Sequence, residues 1–218
     1  MKAVLFDLDG TLLDTLEDLT IAVNFALTKM GFPKRRPDEI RRFLGNGAAN
    51  LVRSSLPQGK EAALEETLPI FRSYYEKHNQ EKTCPYPGIL PLLDHLKEDG
   101  FSLAVISNKP DYAVQPLAKK HFPTIDYAVG EKEGVARKPA PDSIFQALTV
   151  LGVEKQSALY VGDSEVDLET AKAAGIPCIA VTWGFRDPDH LIAAGAKHLA
   201  HTAEELYKMI HALTQKEN

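Results

Sequence analysis

Five short, near-continuous apolar runs, at residues 3–6, 103–106, 125–129, 158–161 and 176–181, constrain the fold more than any other feature of the sequence. They are rich in Val and Ile and too continuous for a strand with one wet face, which is the pattern of a parallel sheet covered on both sides. Between them lie amphipathic segments at 88–98, 111–121, 142–151 and 165–174. Gly100, Gly152 and Gly175 follow three of these, and Pro141 also precedes the one that Gly152 closes, as helix boundaries favour. Alternating strand and helix predicts an α/β, doubly wound parallel-sheet core.

Residues 14–82 break the alternation and read as helix throughout, with no convincing strand. Leu16, Leu19, Val23, Leu27 and Met30 recur at helical spacing before Gly31; Ile40, Phe43 and Leu44 precede a Gly45-Asn46-Gly47 break; Leu64, Leu68, Phe71 and Tyr75 mark a further helix. The expected organisation is an α/β core from residues 1–13 and 83–218, with an all-helical insertion, 14–82, after the first strand. Thr83-Cys84-Pro85-Tyr86-Pro87-Gly88 is a connector suited to a domain boundary.

Composition narrows the function. The 218 residues are 44% hydrophobic and 25% charged, which sets disorder aside, and the formal net charge of −5 disfavours nucleic acid as a partner. Cys84 and Cys178 match no zinc or disulfide pattern, pointing to a reduced compartment. No apolar run approaches the roughly 20 residues needed to span a bilayer, so no membrane partner and a cytoplasmic location are expected. Monomer and homodimer are both open.

Ligands of open parallel sheets bind outside the carboxyl ends of the strands. Those ends carry Asp7-Leu8-Asp9-Gly10-Thr11, Ser107-Asn108-Lys109, Gly130-Glu131 and Gly162-Asp163-Ser164-Glu165-Val166-Asp167, with Lys138 in a nearby loop. Converging carboxylates resist ionising together unless a cation joins them, and hard oxygen ligands favour Mg²⁺. Phosphoryl transfer needs a nucleophile, positive charge on the transferred oxygens and an acid for the leaving oxygen. The constellation supplies all three: an Asp nucleophile, Lys138 for positive charge, and a second Asp two residues on to move protons; Gly10 also lets the chain wrap a phosphate.

At these residues the sequence resembles the haloacid dehalogenase-like (HAD) hydrolase superfamily. Residues 7–14 are similar to its first motif, Ser107-Asn108 to its second, Lys138-Pro139 to its third and residues 162–167 to its fourth, in order over almost the whole chain. Tyr86-Pro87-Gly88 and Val181-Thr182-Trp183-Gly184 resemble the phosphoglycolate phosphatase branch. The resemblance implies a Rossmann-like core with a helical cap, and an aspartyl-phosphate intermediate on Asp7. Asp9 would protonate the leaving alkoxide and then activate water, with Thr11 steadying the pair. Ser107 would bond a phosphoryl oxygen, and Lys138 would neutralise both the phosphoryl group and Asp7. Mg²⁺ would be held by Asp7, Asp163 and the Asp9 carbonyl, with Asp167 an outer or alternative ligand. Gly10, Asn108 and the cap loop Gly45, Asn46 and Gly47 would complete the substrate site. The implied substrate is a small phosphorylated metabolite, 2-phosphoglycolate foremost, with pyrophosphate hydrolysis and phosphosugar phosphatase or mutase activity as neighbours.

Plainer readings stand beside these. Gly45-Asn46-Gly47 also reads as a simple helix break, Lys34-Arg35-Arg36 and Arg41-Arg42 as a solvated helix entry, and Phe71, Tyr74 and Tyr75 as packing residues. Ser107-Asn108 and Asp163 also read as caps of the helices that follow them. A receiver-like phosphoacceptor module shares the Asp, Ser and Lys pattern, but such a module needs no second acid and no lid.

Overall fold

The computed structural model of the chain describes residues 2–214. The chain opens with β1 (Lys2–Phe6) and a two-residue strand β2 (Leu13–Asp14), followed by four helices, α1 (Leu16–Lys29), α2 (Pro37–Phe43), α3 (Gly47–Ser55) and α4 (Leu64–His78). It returns through β3 (Cys84–Pro85) to α5 (Ile89–Glu98), β4 (Phe101–Pro110), α6 (Asp111–His121) and β5 (Tyr127–Glu131). The remainder is α7 (Asp142–Leu151), β6 (Ala158–Gly162), α8 (Glu165–Ala174), β7 (Cys178–Val181), α9 (Pro188–Ala193), β8 (Leu199–Ala200) and α10 (Ala203–Thr214).

Six strands form one parallel sheet in the order β5-β4-β1-β6-β7-β8. The side-chain period of two divides β1 between two cores. Val4 and Phe6 pack with Ile89 and Leu93 of α5 and Leu206 and Ile210 of α10; Ala3 and Leu5 pack with Ile144 and Leu148 of α7 and Ala171 and Ala174 of α8. Phe6 is fully buried, a state that contributes about 1.5–3 kcal/mol for such a side chain. Covered faces on both sides explain why the strands read as continuous apolar runs.

The helical insertion has its own core of Leu19, Val23, Leu27, Ile40, Leu51, Phe71 and Tyr75, joined by Ala113 and Phe185 from the sheet layers. Its two connections are paired. Leu13 lies opposite Pro85 and Asp14 opposite Cys84, and buried Asp18 at the start of α1 accepts the N–H groups of Lys82 and Thr83 and the Thr83 hydroxyl. These two-residue strands flank residues 14–82, overlapping them only at Asp14, and everything between them that is regular is helix. β5 and β7 begin two residues later than expected: the Asp126 N–H bonds Leu103 O, and its carboxylate accepts the Leu103 N–H, before pairing proper starts. Strand β8 and helix α10 complete the sheet edge and one face.

Candidate active site

β1 lies at the centre of the sheet between β4 and β6, so the residues that leave these three strands at their carboxyl ends meet. Asp7 follows β1, Asp163 follows β6, and Ser107, Asn108 and Lys109 lie in the last part of β4. There the pairing with β5 shifts register between Ile106 and Pro110. Lys138 comes from the loop between β5 and α7, and Asp167 from the first turn of α8.

Lys138 is buried and bonds Asp7 Oδ1 at 2.9 Å, Asp167 Oδ1 at 2.7 Å and the Tyr160 hydroxyl at 3.1 Å. Burial works against its charge, but Asp167 and Asp7 outweigh it and hold the ammonium protonated well above the ordinary lysine range. Burial pushes the Asp7 carboxyl up to about 7, with repulsion from Asp167 adding to the rise and Lys138 opposing it. Asp163 is raised as well, by burial first and then by Asp167 and Asp7. One ammonium is therefore bonded to two of three buried carboxylates, Asp7, Asp163 and Asp167, each of which has an oxygen within 4.8 Å of the others'.

These donors fit a hard divalent cation, and their hydrogen bonds distinguish the ligands. Asp167 Oδ1 is taken by Lys138, and its Oδ2 accepts from the N–H groups of Asp163 and Ser164 and from the Ser164 hydroxyl at 2.6 Å. Its oxygens are thus already engaged by the protein. Asp163 Oδ2 accepts the Phe185 N–H at 2.6 Å, while its Oδ1 has only a long 3.5 Å contact from Thr11. Among the described residues no backbone N–H bonds the Asp9 carbonyl. Asp7, Asp163 and that carbonyl are the atoms left open to an ion.

Gly10 turns at φ 84°, and a Cβ there would lie 2.3 Å from Asp163 Oδ2, so only glycine permits this approach. Thr11 reaches Asp163, not the Asp7 and Asp9 pair, and its carbonyl accepts the Trp183 indole N–H at 3.0 Å. The N-cap of α8 is Ser164, not Asp163, and Pro110, not Ser107 or Asn108, precedes α6.

A cavity of about 50 Å³ joins this floor to the helical insertion, lined by Asp7, Asp9, Ser107, Asn108, Lys109 and Lys138 below and by the insertion above. Gly45 and Gly47 reach it, whereas Asn46 is exposed and does not line it. Asn108 ties the layers together, its amide donating to Gly45 O at 3.1 Å and Lys138 O at 3.0 Å. Two arginines form a second tie. Buried Arg186, paired with Glu165, donates to Leu44 O at 2.8 Å and Arg41 O at 3.3 Å, and Arg41 returns a bond to Gly184 O at 3.0 Å and an ion pair to Asp187. Arg41 is therefore an interlayer contact, not part of a solvated helix entry.

Two site residues escaped the sequence reading. Lys109 holds both Asp9 oxygens at 3.0 Å and touches the hydroxyl of Tyr75, which is a wall of the cavity as well as a packing residue. The only signal for Lys109 was its place at the strand end after Ser107-Asn108; for Tyr75 there was none beyond helical periodicity.

A family model described as haloacid dehalogenase-like hydrolase matches residues 4–181. Among curated proteins, the chain is 37% identical to a phosphoglycolate phosphatase of Pseudomonas savastanoi pv. phaseolicola, covering 96% of this chain and 78% of that one. It is 35% identical to a phosphoglycolate phosphatase of Aquifex aeolicus, covering 85% and 86%. Among solved structures, a candidate phosphoglycolate phosphatase from Lactobacillus delbrueckii subsp. bulgaricus superposes with a TM-score of 0.92 at 39% identity, covering 96% and 99% of the two chains.

Proposed function

Because the chain belongs to the haloacid dehalogenase-like hydrolase family and is a phosphatase of it, we propose that it hydrolyses 2-phosphoglycolate through a phosphorylated Asp7, with Mg²⁺ as cofactor and the helical insertion, residues 14–82, as its cap. The observation that carries this reading is Asp7 itself: a buried carboxylate at the head of the central strand, ion-paired to Lys138 at 2.9 Å on the floor of a roofed cavity. A receiver-like module has no use for that roof.

Asp7 Oδ attacks phosphorus, and the bond to the alcohol oxygen breaks as Asp9 delivers a proton to it. Asp9 then takes a proton from the water that hydrolyses the acyl phosphate; such acid–base help is worth roughly 10²- to 10⁴-fold in rate. Lys138 offsets charge on Asp7 and on the transferred oxygens, the Ser107 hydroxyl donates to one of those oxygens, and Gly10 lets backbone N–H groups approach them. Asp7, Asp163 and the Asp9 carbonyl would hold Mg²⁺, which would supply further positive charge to the phosphoryl oxygens. Asp167 keeps Lys138 in place.

The names of the relatives support 2-phosphoglycolate as substrate. The test is phosphate release by metal-stripped protein, with and without Mg²⁺, from 2-phosphoglycolate, pyrophosphate and a sugar phosphate, with Asp7→Asn as the blank. Mg²⁺-dependent release dominated by 2-phosphoglycolate upholds the proposal. Preference for pyrophosphate or a sugar phosphate would reject the substrate, and release by the blank would reject Asp7.

A further inference from the structure

Lys109 has no place in the chemistry just described, yet its side chain is only 2% exposed and lines the cavity. It bridges the two layers, with Asp9 of the core on one side and the Tyr75 hydroxyl of α4 on the other. Lysine nitrogen has no lone pair when protonated, so Tyr75 accepts this bond, and the phenol's own proton has no acceptor among the described residues. Tyr160 provides the contrast: it accepts from Lys138 and spends its proton on Ile106 O at 3.1 Å. An O–H donor that is 2% exposed and unspent is costly unless a ligand takes it.

The rest of the cavity limits what that ligand can be. Leu19, Leu44, Leu51 and Phe71 make its upper walls apolar, and Lys109 and Lys138 are its only cationic side chains. Lys138 is paired with two carboxylates, Asp7 and Asp167, whereas Lys109 is paired with Asp9 alone and touches a phenol whose proton is unspent. A second anionic group on the substrate thus meets one ammonium and one phenol, two donors that match the two oxygens of a carboxylate. A second phosphoryl group would bring three oxygens and roughly double the charge to these two donors.

We propose that Lys109 and Tyr75 form the receptor for a carboxylate on the alcohol half of the phosphate ester, and that this carboxylate replaces Asp9 on the Lys109 ammonium. Substrate binding then frees Asp9 for proton transfer, whereas an ester without the carboxylate leaves Asp9 tied. The inference rests on the phosphatase reading above and adds to it the residues that select the substrate.

The test measures kcat and KM of the Mg²⁺-loaded enzyme on 2-phosphoglycolate and on ethyl phosphate, which has a methyl group in place of the carboxylate. The wild type should favour 2-phosphoglycolate, and Lys109→Met should shrink the ratio of the two kcat/KM values by about 30- to 100-fold, as loss of a buried charged bond implies. Tyr75→Phe, which removes a single oxygen and keeps the packing, should shrink it about 5- to 10-fold. With Asp7→Asn as background, calorimetry should show Lys109→Met weakening 2-phosphoglycolate binding more than ethyl phosphate binding. Equal losses on both esters in both variants would overturn the inference and leave Lys109 a positioning residue for Asp9. A wild type that treats both esters alike would overturn it while sparing the phosphatase reading; release from no phosphate ester at all would remove that reading and this inference with it.

Discussion

Replacing Lys138 by Met removes the one cation among the buried carboxylates while keeping the side chain's length. In the native protein the side chain is 3% exposed and its ammonium lies 2.9 Å from Asp7 and 2.7 Å from Asp167, so both carboxylates lose their counter-charge at once. Stripping one partner from a buried ion pair costs about 3–5 kcal/mol. For a chain of this size each kcal/mol moves Tm by roughly 2–4 °C, which predicts a fall of roughly 6–20 °C. Protonation of Asp7 and Asp163, whose carboxyls are already raised by burial, relieves part of the repulsion and places the effect toward the lower end near neutral pH. Adding Asp167→Asn should recover about 1–3 kcal/mol, because it removes one of the stranded charges. Urea unfolding of the metal-free single and double variants reads both quantities, with an unchanged m-value to certify the comparison. A loss below about 1 kcal/mol for Lys138→Met, or strictly additive effects in the double variant, would refute the electrostatic argument.

Three further outcomes are expected. Gly10→Ala should cost at least about 2 kcal/mol and weaken Mg²⁺ binding, since its Cβ would meet Asp163 Oδ2 at 2.3 Å; a calorimetric titration with wild-type affinity would contradict this. Arg186→Gln removes the guanidinium that holds Leu44 O and Arg41 O, so KM should rise about 3- to 10-fold as the cap loses its tie to the core, and an unchanged KM would show the tie to be idle. Because burial raises the Asp7 carboxyl from 3.8 to about 7, the folded metal-free protein keeps a proton that the unfolded chain releases. Its contribution to stability is present below about pH 4 and is lost as pH rises toward 7. Mg²⁺ should therefore raise Tm more at about pH 8 than at about pH 5, and the reverse order would contradict the sign.

The parallel core was legible because strands buried on both faces leave continuous apolar runs, and the site was legible because Asp7, Ser107 and Asp163 sit where those runs stop. What stayed hidden depends on contacts between distant segments. Nothing in the sequence near Thr11 places its hydroxyl on Asp163. Nothing near Arg41 shows that Gly184 and Asp187 face it. Tyr75 follows the same helical period as Phe71, and its hydroxyl acquires a role only because Lys109 reaches across from β4. Strands β2 and β3 hold two residues each, too few for any periodicity.

The most direct test of the proposed chemistry is acid quenching of the Mg²⁺-loaded enzyme during turnover of 2-phosphoglycolate, followed by mass spectrometry of the peptide that carries Asp7. The account predicts one added phosphoryl group on Asp7, more of it in Asp9→Asn, where hydrolysis of the acyl phosphate slows, and none in Asp7→Asn. Full turnover by wild type with no phosphoryl group on that peptide in either wild type or Asp9→Asn would contradict it, because water would then be attacking phosphorus directly.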